Sequence, residues 1–417
     1  MMIRVRRAAW GPVASVAVLM GLAPCGVAQT CSNEWATMFP GDGGLDGTVR
    51  AVAVFDAGLY VAGAFQQCMG RDVWYVSRWT GRRWAGVGAG LYCSPVSASV
   101  YALVAFDDPN TPEEAALYAG AVDGVYCGPH DPDDPNECWR LVAATDAPVR
   151  ALAVYQGALY AAGEFTCIRT SDPNNPWVPC DPDDPNQAGY HIARWLGPGS
   201  AWEVVGIGDP NDPNTLGMDG PVLALTVFDD GGGEALFAGG TFLHAGGVPA
   251  SRVARWKNGS WSALGSGIEA PADAAINALA GWNGRLYVGG KITQAGGVPV
   301  RGIAAAVRDA NDAWTWSTCG SGVFLGSGNP GSVTTLAALN VGGAEALYAG
   351  GNFVYVGSDP NDANTRSAAK RIAKWDGAAW LALSDGFNNP PYALATYNDG
   401  HGAAVYAGGG ASGWRTA

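Results

Sequence analysis

One apolar phrase returns along this chain of 417 residues. It reads VRALAVY at 149–155, and its counterparts are VRAVAVF (49–55), VYALVAF (100–106), VLALTVF (222–228), INALAGW (276–282), VTTLAAL (333–339) and PYALATY (391–397). Behind each comes a second phrase: LYVAGAF (59–65), LYAGAV (117–122), LYAAGEF (159–165), LFAGGTF (236–242), LYVGGKI (286–292), LYAGGNF (347–353) and VYAGGGA (405–411). Two tryptophans around a tight turn follow in four copies, as SRWTGRRWAGV (77–87), ARWLGPGSAWEVVG (193–206), RVARWKNGSWSAL (252–264) and RIAKWDGAAWLAL (371–383). Repetition at a fixed period dictates an architecture before any single element is assigned.

Each phrase is short, rich in Val, Leu, Tyr and Trp, and bounded by Gly, Asn, Asp or Pro, the signature of strands and their turns. The first strand of each unit is apolar on both faces and is expected to lie deepest. The paired glycines of the second strand, such as Gly289–Gly290 and Gly350–Gly351, mark places where a side chain would block a neighbouring sheet or ring. Equivalent first-strand positions (Val52, Leu103, Leu152, Leu225, Leu279, Leu336 and Leu394) stand 51, 49, 73, 54, 57 and 58 residues apart, room for four strands per unit. An all-β chain of this kind predicts a seven-bladed β-propeller of four-stranded blades, an arrangement that leaves only short, protected edges. The seventh unit ends after VYAGGGA with SGWRTA, while NEWATMFPGDGGLDG (33–47) reads like an outer strand placed ahead of the first unit. The N-terminal strand, at 33–39, is therefore expected to close the last blade and remove an open edge.

Apolar residues, then Gly-Gly, then an aromatic, then Trp after a short hairpin is a pattern that resembles the kelch repeat in order and period. The wording LYVGG…AGG…RIAKWDGAAW is similar to the propeller ectodomain of fungal cortical polarity-marker proteins and of many bacterial exported repeat proteins. The resemblance covers about residues 33–417. It departs in the second unit, which keeps only CWRLV (138–142), and in the fifth, where AAAVRDANDAWTW (304–316) replaces the hairpin. Kelch-type propellers include scaffolds, carbohydrate binders and a few enzymes, so the resemblance implies a fold more than a task.

The chain opens with Arg4, Arg6 and Arg7, then an apolar run from Pro12 to Ala23, then Gly26 and Ala28 spaced as a signal-peptidase site. Residues 1–28 are expected to be a signal peptide and 29–417 a single propeller domain, with the protein secreted, periplasmic or at the cell surface. The apolar run is shorter than the ~20 residues a bilayer span needs, and no second run is longer. Without 1–28 the chain has 21 Lys+Arg and 37 Asp+Glu, a net charge of −16. Phosphates are repelled by such a surface, which argues against nucleic acid as partner. Eight cysteines remain, an even number that suggests disulfides in an exported chain. Loop spacing predicts Cys127–Cys138 and Cys167–Cys180 as bonds, and Cys68–Cys93 as a third; Cys31 and Cys319 are left over.

Proline-rich acidic insertions interrupt the units, at 107–114, 131–136, 171–176, 181–186, 209–214 and 358–364. Calcium is the cofactor such loops could hold, but the alternating aspartates and closing glutamate of a calcium loop are missing. Pro, Asp and Asn are also ordinary turn formers, so solvated rigid loops are expected and no cofactor or metal. Only four histidines occur, His130, His191, His244 and His401, at different parts of different units. No G-x-S-x-G and no HExxH is present. The repeated tryptophans, Trp256/Trp261 and Trp375/Trp380 among them, read as wedges between blades, whereas Trp177 lies in an insertion without counterpart.

One position varies while its neighbours stay small or apolar. The second residue of the first strand is Arg50, Tyr101, Arg150, Leu223, Asn277, Thr334 and Tyr392 in successive units. In a propeller it stands at one mouth of the central channel, on the face that carries the longest insertions, 166–190, 207–220 and 354–370. Arg50, Tyr101, Arg150, Asn277 and Tyr392 are therefore the candidate binding residues, with no catalytic residue named. The expectation is an exported, monomeric, non-catalytic propeller binding a protein or polysaccharide; a glycan-acting hydrolase or lyase is the alternative.

Overall fold

The computed structural model describes residues 2–5, 36–37 and 45–410, apart from 69, 82, 94–98, 108–114, 172–177, 179, 182–183, 185–186, 207–216, 327, 342, 358–365, 384–385 and 401. Helical conformation within them is confined to 3₁₀ turns, one of them at Gly90–Cys93. The chain is otherwise a succession of antiparallel four-stranded meanders. The first is Thr48–Phe55, Gly58–Ala64, Val76–Trp79 and Trp84–Gly86. The third, fourth, fifth and sixth units repeat it, with first strands Val149–Tyr155, Val222–Asp229, Ala275–Trp282 and Ser332–Val341. The second unit, from Val100–Phe106 to Arg140–Thr145, gains a fifth strand, Ile168–Thr170, lent by the insertion of the third. That loan covers an edge that would otherwise present unpaired backbone groups.

The last sheet is built from both ends of the chain. Pro391–Asn398 pairs with Ala403–Gly409, Ala403–Gly409 with Met2–Val5, and Met2–Val5 with Ala36–Thr37. Ala36–Thr37, within 33–39, has the outer position of this sheet. The third position is filled by residues that the sequence assigns to the leader.

Each first strand packs against the first strand of the next unit, and the strand of the seventh unit, Pro391–Asn398, packs against Thr48–Phe55 of the first. The apolar core is accordingly divided among the sheet interfaces. Tyr60, Val76, Tyr126 and Trp139 fill the one between units 1 and 2, and Val49, Leu59, Trp79 and Tyr406 the one between units 7 and 1. This is the layout of a β-propeller.

The paired glycines separate into two mechanical roles. A Cβ on the first of each pair would strike the next unit: at Gly239 it would lie 2.5 Å from Ile276, at Gly289 2.6 Å from Val333, and at Gly408 it would overlap Val49. A Cβ on the second would collide with its own sheet, as Gly290 with the Ala275 carbonyl and Gly351 with that of Ser332.

The fourth-strand tryptophans do wedge between sheets, and they also bond across them. Trp139 Nε1 donates to the Val87 carbonyl (3.2 Å), Trp261 to Val205 (2.9 Å), Trp316 to Leu264 (2.8 Å) and Trp380 to Cys319 (2.8 Å), each in the preceding unit.

Of the expected disulfides, Cys167–Cys180 is formed, with Cα atoms 6.0 Å apart. The other two need correction. Cys127 keeps a thiol, which donates to the Gly128 carbonyl at 3.6 Å, and Cys68 is a buried thiol. Cys138 is disulfide-bonded, but not to Cys127. The strand register explains why: Cys127 stands opposite Arg140, so Cys138 falls two positions beyond its reach. Loop length suggested a closure that pairing geometry forbids.

Candidate functional site

The seven variable positions share a backbone feature that spacing could not reveal. At each one the ladder between first and second strands shifts register by one residue. Val49 pairs with Gly63 and Ala51 with Ala62, leaving Arg50 as the extra residue; the same slip isolates Tyr101, Arg150, Leu223, Asn277, Thr334 and Tyr392. Each is a β-bulge, which kinks the strand and re-aims the side chain. At six of the seven bulges the second-strand residue across the shift is a glycine whose Cβ would meet a carbonyl at the start of the first strand, as Gly163 that of Pro148; in unit 2 the position is Ala121.

Four of the bulged side chains meet. The guanidinium carbon of Arg150 lies 4.1 Å from the Tyr101 ring centroid, and that of Arg50 lies 4.9 Å from the same ring and 6.0 Å from the ring of Tyr392. Tyr101 is held between two cations, an arrangement worth about 0.5–2 kcal/mol per contact as the site loses water. Tyr392 is 40% exposed. The arc runs through units 7, 1, 2 and 3, so it requires the seventh unit to stand beside the first. Arg150 is neutralised by Glu164, which accepts from Nε at 2.8 Å and Nη2 at 2.5 Å. Arg50 has no carboxylate partner among the described residues, and its Nε is buried without a hydrogen bond.

Asn277 does not join the arc. Its Nδ2 reaches the Val333 carbonyl of the next unit at 3.4 Å, a weak bond that fixes the amide on the channel wall. Thr334 turns its hydroxyl onto the Pro391 and Gly350 carbonyls.

Beside Tyr101 a polar cavity of about 480 Å³ opens between units 1 and 2, lined by Asp46, Gln66, Tyr75 and Ser99. Asp46 organises it. Its Oδ1 accepts from the amides of Gln66 (2.8 Å) and Gln67 (3.0 Å), and the Gln66 side chain donates to the Tyr75 hydroxyl at 2.8 Å. Asp146 and Asp219 make the same pair of amide bonds in units 3 and 4, to Thr166 and Cys167 and to Leu243 and His244. These aspartates were not singled out from sequence, although each stands two or three residues ahead of a first strand, in LDGTV (45–49), TDAPV (145–149) and MDGPV (218–222).

His244 Nδ1 faces Asp219 Oδ2 at 2.8 Å, and His191 is held below the ordinary histidine range by burial. Among the described residues no three His, Cys, Asp or Glu side chains converge on a point that could hold a metal ion. In the loop 131–136 Asp133 pairs with Arg78, and the neighbouring acids cap backbone amides. Glu137 accepts from the amides of His130 (2.8 Å) and Asp131 (2.9 Å), and Asp131 from that of Asp133. Trp177 and His401 lie outside the described residues.

No family model matches the chain, and no curated protein matches it. Among solved structures it is similar to the WD40 β-propeller domain of Doa1, at TM-score 0.48 and 11% identity over 87% of this chain and 93% of that one. It is similar to the RRP9 WD40 repeats, at TM-score 0.47 and 12% identity over 88% and 96%. A third is the BBS1N chain solved in complex with ARL6DN, at TM-score 0.42 and 12% identity over 88% and 93%.

Proposed function

We propose that this chain is an exported, non-catalytic β-propeller of seven kelch-like blades, the last closed by N-terminal residues. On this reading it is a monomer that binds a protein or polysaccharide through the channel face carrying Arg50, Tyr101, Arg150, Asn277 and Tyr392. The observation that carries the reading is the Arg150–Tyr101–Arg50–Tyr392 arc. Arginine and tyrosine are the side chains that most often anchor interfaces, and here they are pre-stacked, so little order is lost on binding. Among the described residues Arg50 has no carboxylate partner, so it brings a positive charge to the face of an acidic protein. An anionic, hydroxyl-bearing partner, such as an acidic polysaccharide or an acidic peptide stretch, suits that charge, and the exposed Tyr392 ring offers a stacking surface beside it.

The test is a titration of acidic polysaccharides and of exported proteins of the same cell against the purified chain. Tyr101→Ala and Arg150→Ala are each expected to weaken the partner by about 1–2 kcal/mol, roughly five- to thirtyfold. Glu345→Ala, at the opposite end of the sheets, is expected to change nothing. Loss on Glu345→Ala with no loss on Tyr101→Ala would put the partner on the other face. Shortening of the polysaccharide during the titration would favour the hydrolase or lyase reading instead. The export arm is tested by the intact mass of the exported chain, which is expected to lack residues 1–28; their retention would overturn the leader and leave Met2–Val5 as the third strand of the last sheet.

A further inference from the structure

The second unit differs from its neighbours by one ring. In units 1, 4 and 6 the third-strand tryptophan pairs directly with the fourth-strand tryptophan, as Trp79 with Trp84, Trp256 with Trp261 and Trp375 with Trp380. Their ring centroids are 5.4, 5.2 and 5.2 Å apart. In unit 3 Trp195 stacks on Trp202 at 5.8 Å. Each third-strand indole stands opposite a second-strand leucine, Leu59, Leu159, Leu236 or Leu347. In unit 2 the leucine is Leu117, and its carbonyl accepts from the amide of Gly128 at 2.8 Å. Cys127 pairs with Arg140, so the next position outward sets Gly128 beside Trp139. Gly128 therefore occupies the third-strand tryptophan position, while Trp139 keeps the fourth-strand role through its bond to Val87.

The missing indole leaves a cleft. A cavity of about 650 Å³ opens there, walled by Leu117, Gly128 and Trp139 from unit 2 and by Phe55 and Tyr60 from unit 1. The turn after Gly128 adds Pro129, one more flat apolar wall. Wherever the other units keep the tryptophan pair, this space holds an indole. Leu117 and Trp139 repeat the leucine and indole that flank the ring in the filled units, while Asp56 and His130 add polar groups to the lining.

We infer that this cleft is a binding site for a planar aromatic ring, the indole of a partner protein's tryptophan first, which completes unit 2 as Trp256 completes unit 4. The site lies at the end of the sheets opposite the Arg50–Tyr101 arc and is independent of the function proposed above. A ring entering it buries apolar surface on both faces without reorganising the sheet, because the register on either side is already that of the filled units.

The probe is N-acetyl-L-tryptophanamide, titrated into the full chain by calorimetry and by ligand-observed NMR, with N-acetyl-L-alaninamide as the ring-free control. Saturable binding of the tryptophan derivative alone is expected. Gly128→Trp supplies the ring from within the chain. Gly128 is not in a left-handed conformation, and a Cβ there would sit 3.4 Å from the Trp139 ring and 3.1 Å from the Leu117 carbonyl oxygen. The substitution is expected to leave the fold intact and to weaken the probe by about tenfold or more, a change above 1.4 kcal/mol. Gly128→Leu is a smaller plug that serves if the indole does not fold in, and Tyr101→Ala should leave the probe untouched. Equal binding to the wild-type chain and to both plugged variants would overturn the proposal, as would no saturable binding by the wild-type chain or loss on Tyr101→Ala.

Discussion

Gly351 and Gly297 differ in what surrounds them, although both are small residues in a turn-rich chain. Gly351 faces the bulge at Thr334, where a Cβ would overlap the Ser332 carbonyl, whereas Gly297 has nothing within 4 Å. Gly351→Ala is therefore expected to cost roughly 2–4 kcal/mol, because backbone rather than a flexible side chain must give way. Gly297 has φ +77°, so Gly297→Ala should cost only about 1 kcal/mol, the strain of a left-handed alanine. Urea unfolding of the two variants checks this; equal losses would show that the bulge is not what holds the second glycine. Arg252 is a second residue that spacing could not single out. It is buried and donates to the carbonyls of Ile268 (2.8 Å), Ala272 (2.8 Å) and Ala274 (3.1 Å), tying the connection that leads into unit 5. In sequence it reads only as the first letter of RVARW. Cys319 is likewise unremarkable as a letter, but burial pushes its thiol up to about 12, which makes it an inert core residue.

At the scale of the element, the fourth strand carries the inter-sheet bond. Trp380 Nε1 donates to Cys319, but Trp202 Nε1 is buried without a partner among the described residues. The reason is local. The strand Ile168–Thr170 has been added to the edge of unit 2, and the Trp202 amide bonds to the Thr170 hydroxyl at 3.2 Å. Replacing an indole by a phenyl ring removes the donor in both cases. Trp380→Phe should lose about 1–3 kcal/mol, having stranded the Cys319 carbonyl, while Trp202→Phe should lose less. Thermal unfolding compares them, and a larger loss at Trp202 would contradict the role assigned to the bond. The acidic loops behave as elements too. DPDDPN at 131–136 and at 181–186 each close on the residue that follows, with Glu137 accepting from the Asp131 amide and Gln187 from the Asp181 amide. Their composition was legible as turn chemistry, but which side chain closes the turn was not.

For the whole molecule, acid is the informative stress. The amides of Asp131 and His130 hold Glu137 below the ordinary carboxylate range, and those of Ala379 and Ala378 do the same for Asp376. At Asp219 burial pushes the carboxyl up, but the His244 amide and ring and the Leu243 amide outweigh it and the net direction is down. A carboxylate depressed by folding adds stability that is fully present above its unfolded pKa, about 4, and is lost as pH falls through the lower folded value. The melting temperature should therefore stay level from neutrality to about pH 5 and fall below about pH 4. Glu137→Gln and Asp376→Asn should flatten that fall. A melting temperature that rose on acidification would show that these carboxylates are not what folding holds.

Four-stranded units, their succession, the inward tryptophans and the Cys167–Cys180 bond could all be read from the letters, because each follows from local period or from a short loop. The expectation that the first strand lies deepest is corrected: its residues are mostly half-buried, whereas those of the second strand, packed between two sheets and two strands, are buried. The candidate positions could be read as well, since variation inside an otherwise uniform repeat needs no coordinates. Contact among them could not be read. Arg50 and Tyr392 are 342 positions apart in the chain, and only the packing of the seventh unit against the first brings the guanidinium within 6.0 Å of the ring. The bulges, the failed Cys127–Cys138 pair and the vacancy beside Trp139 have the same origin. They depend on register, and register is set by how strands from distant segments pair and pack rather than by which residues the strands contain.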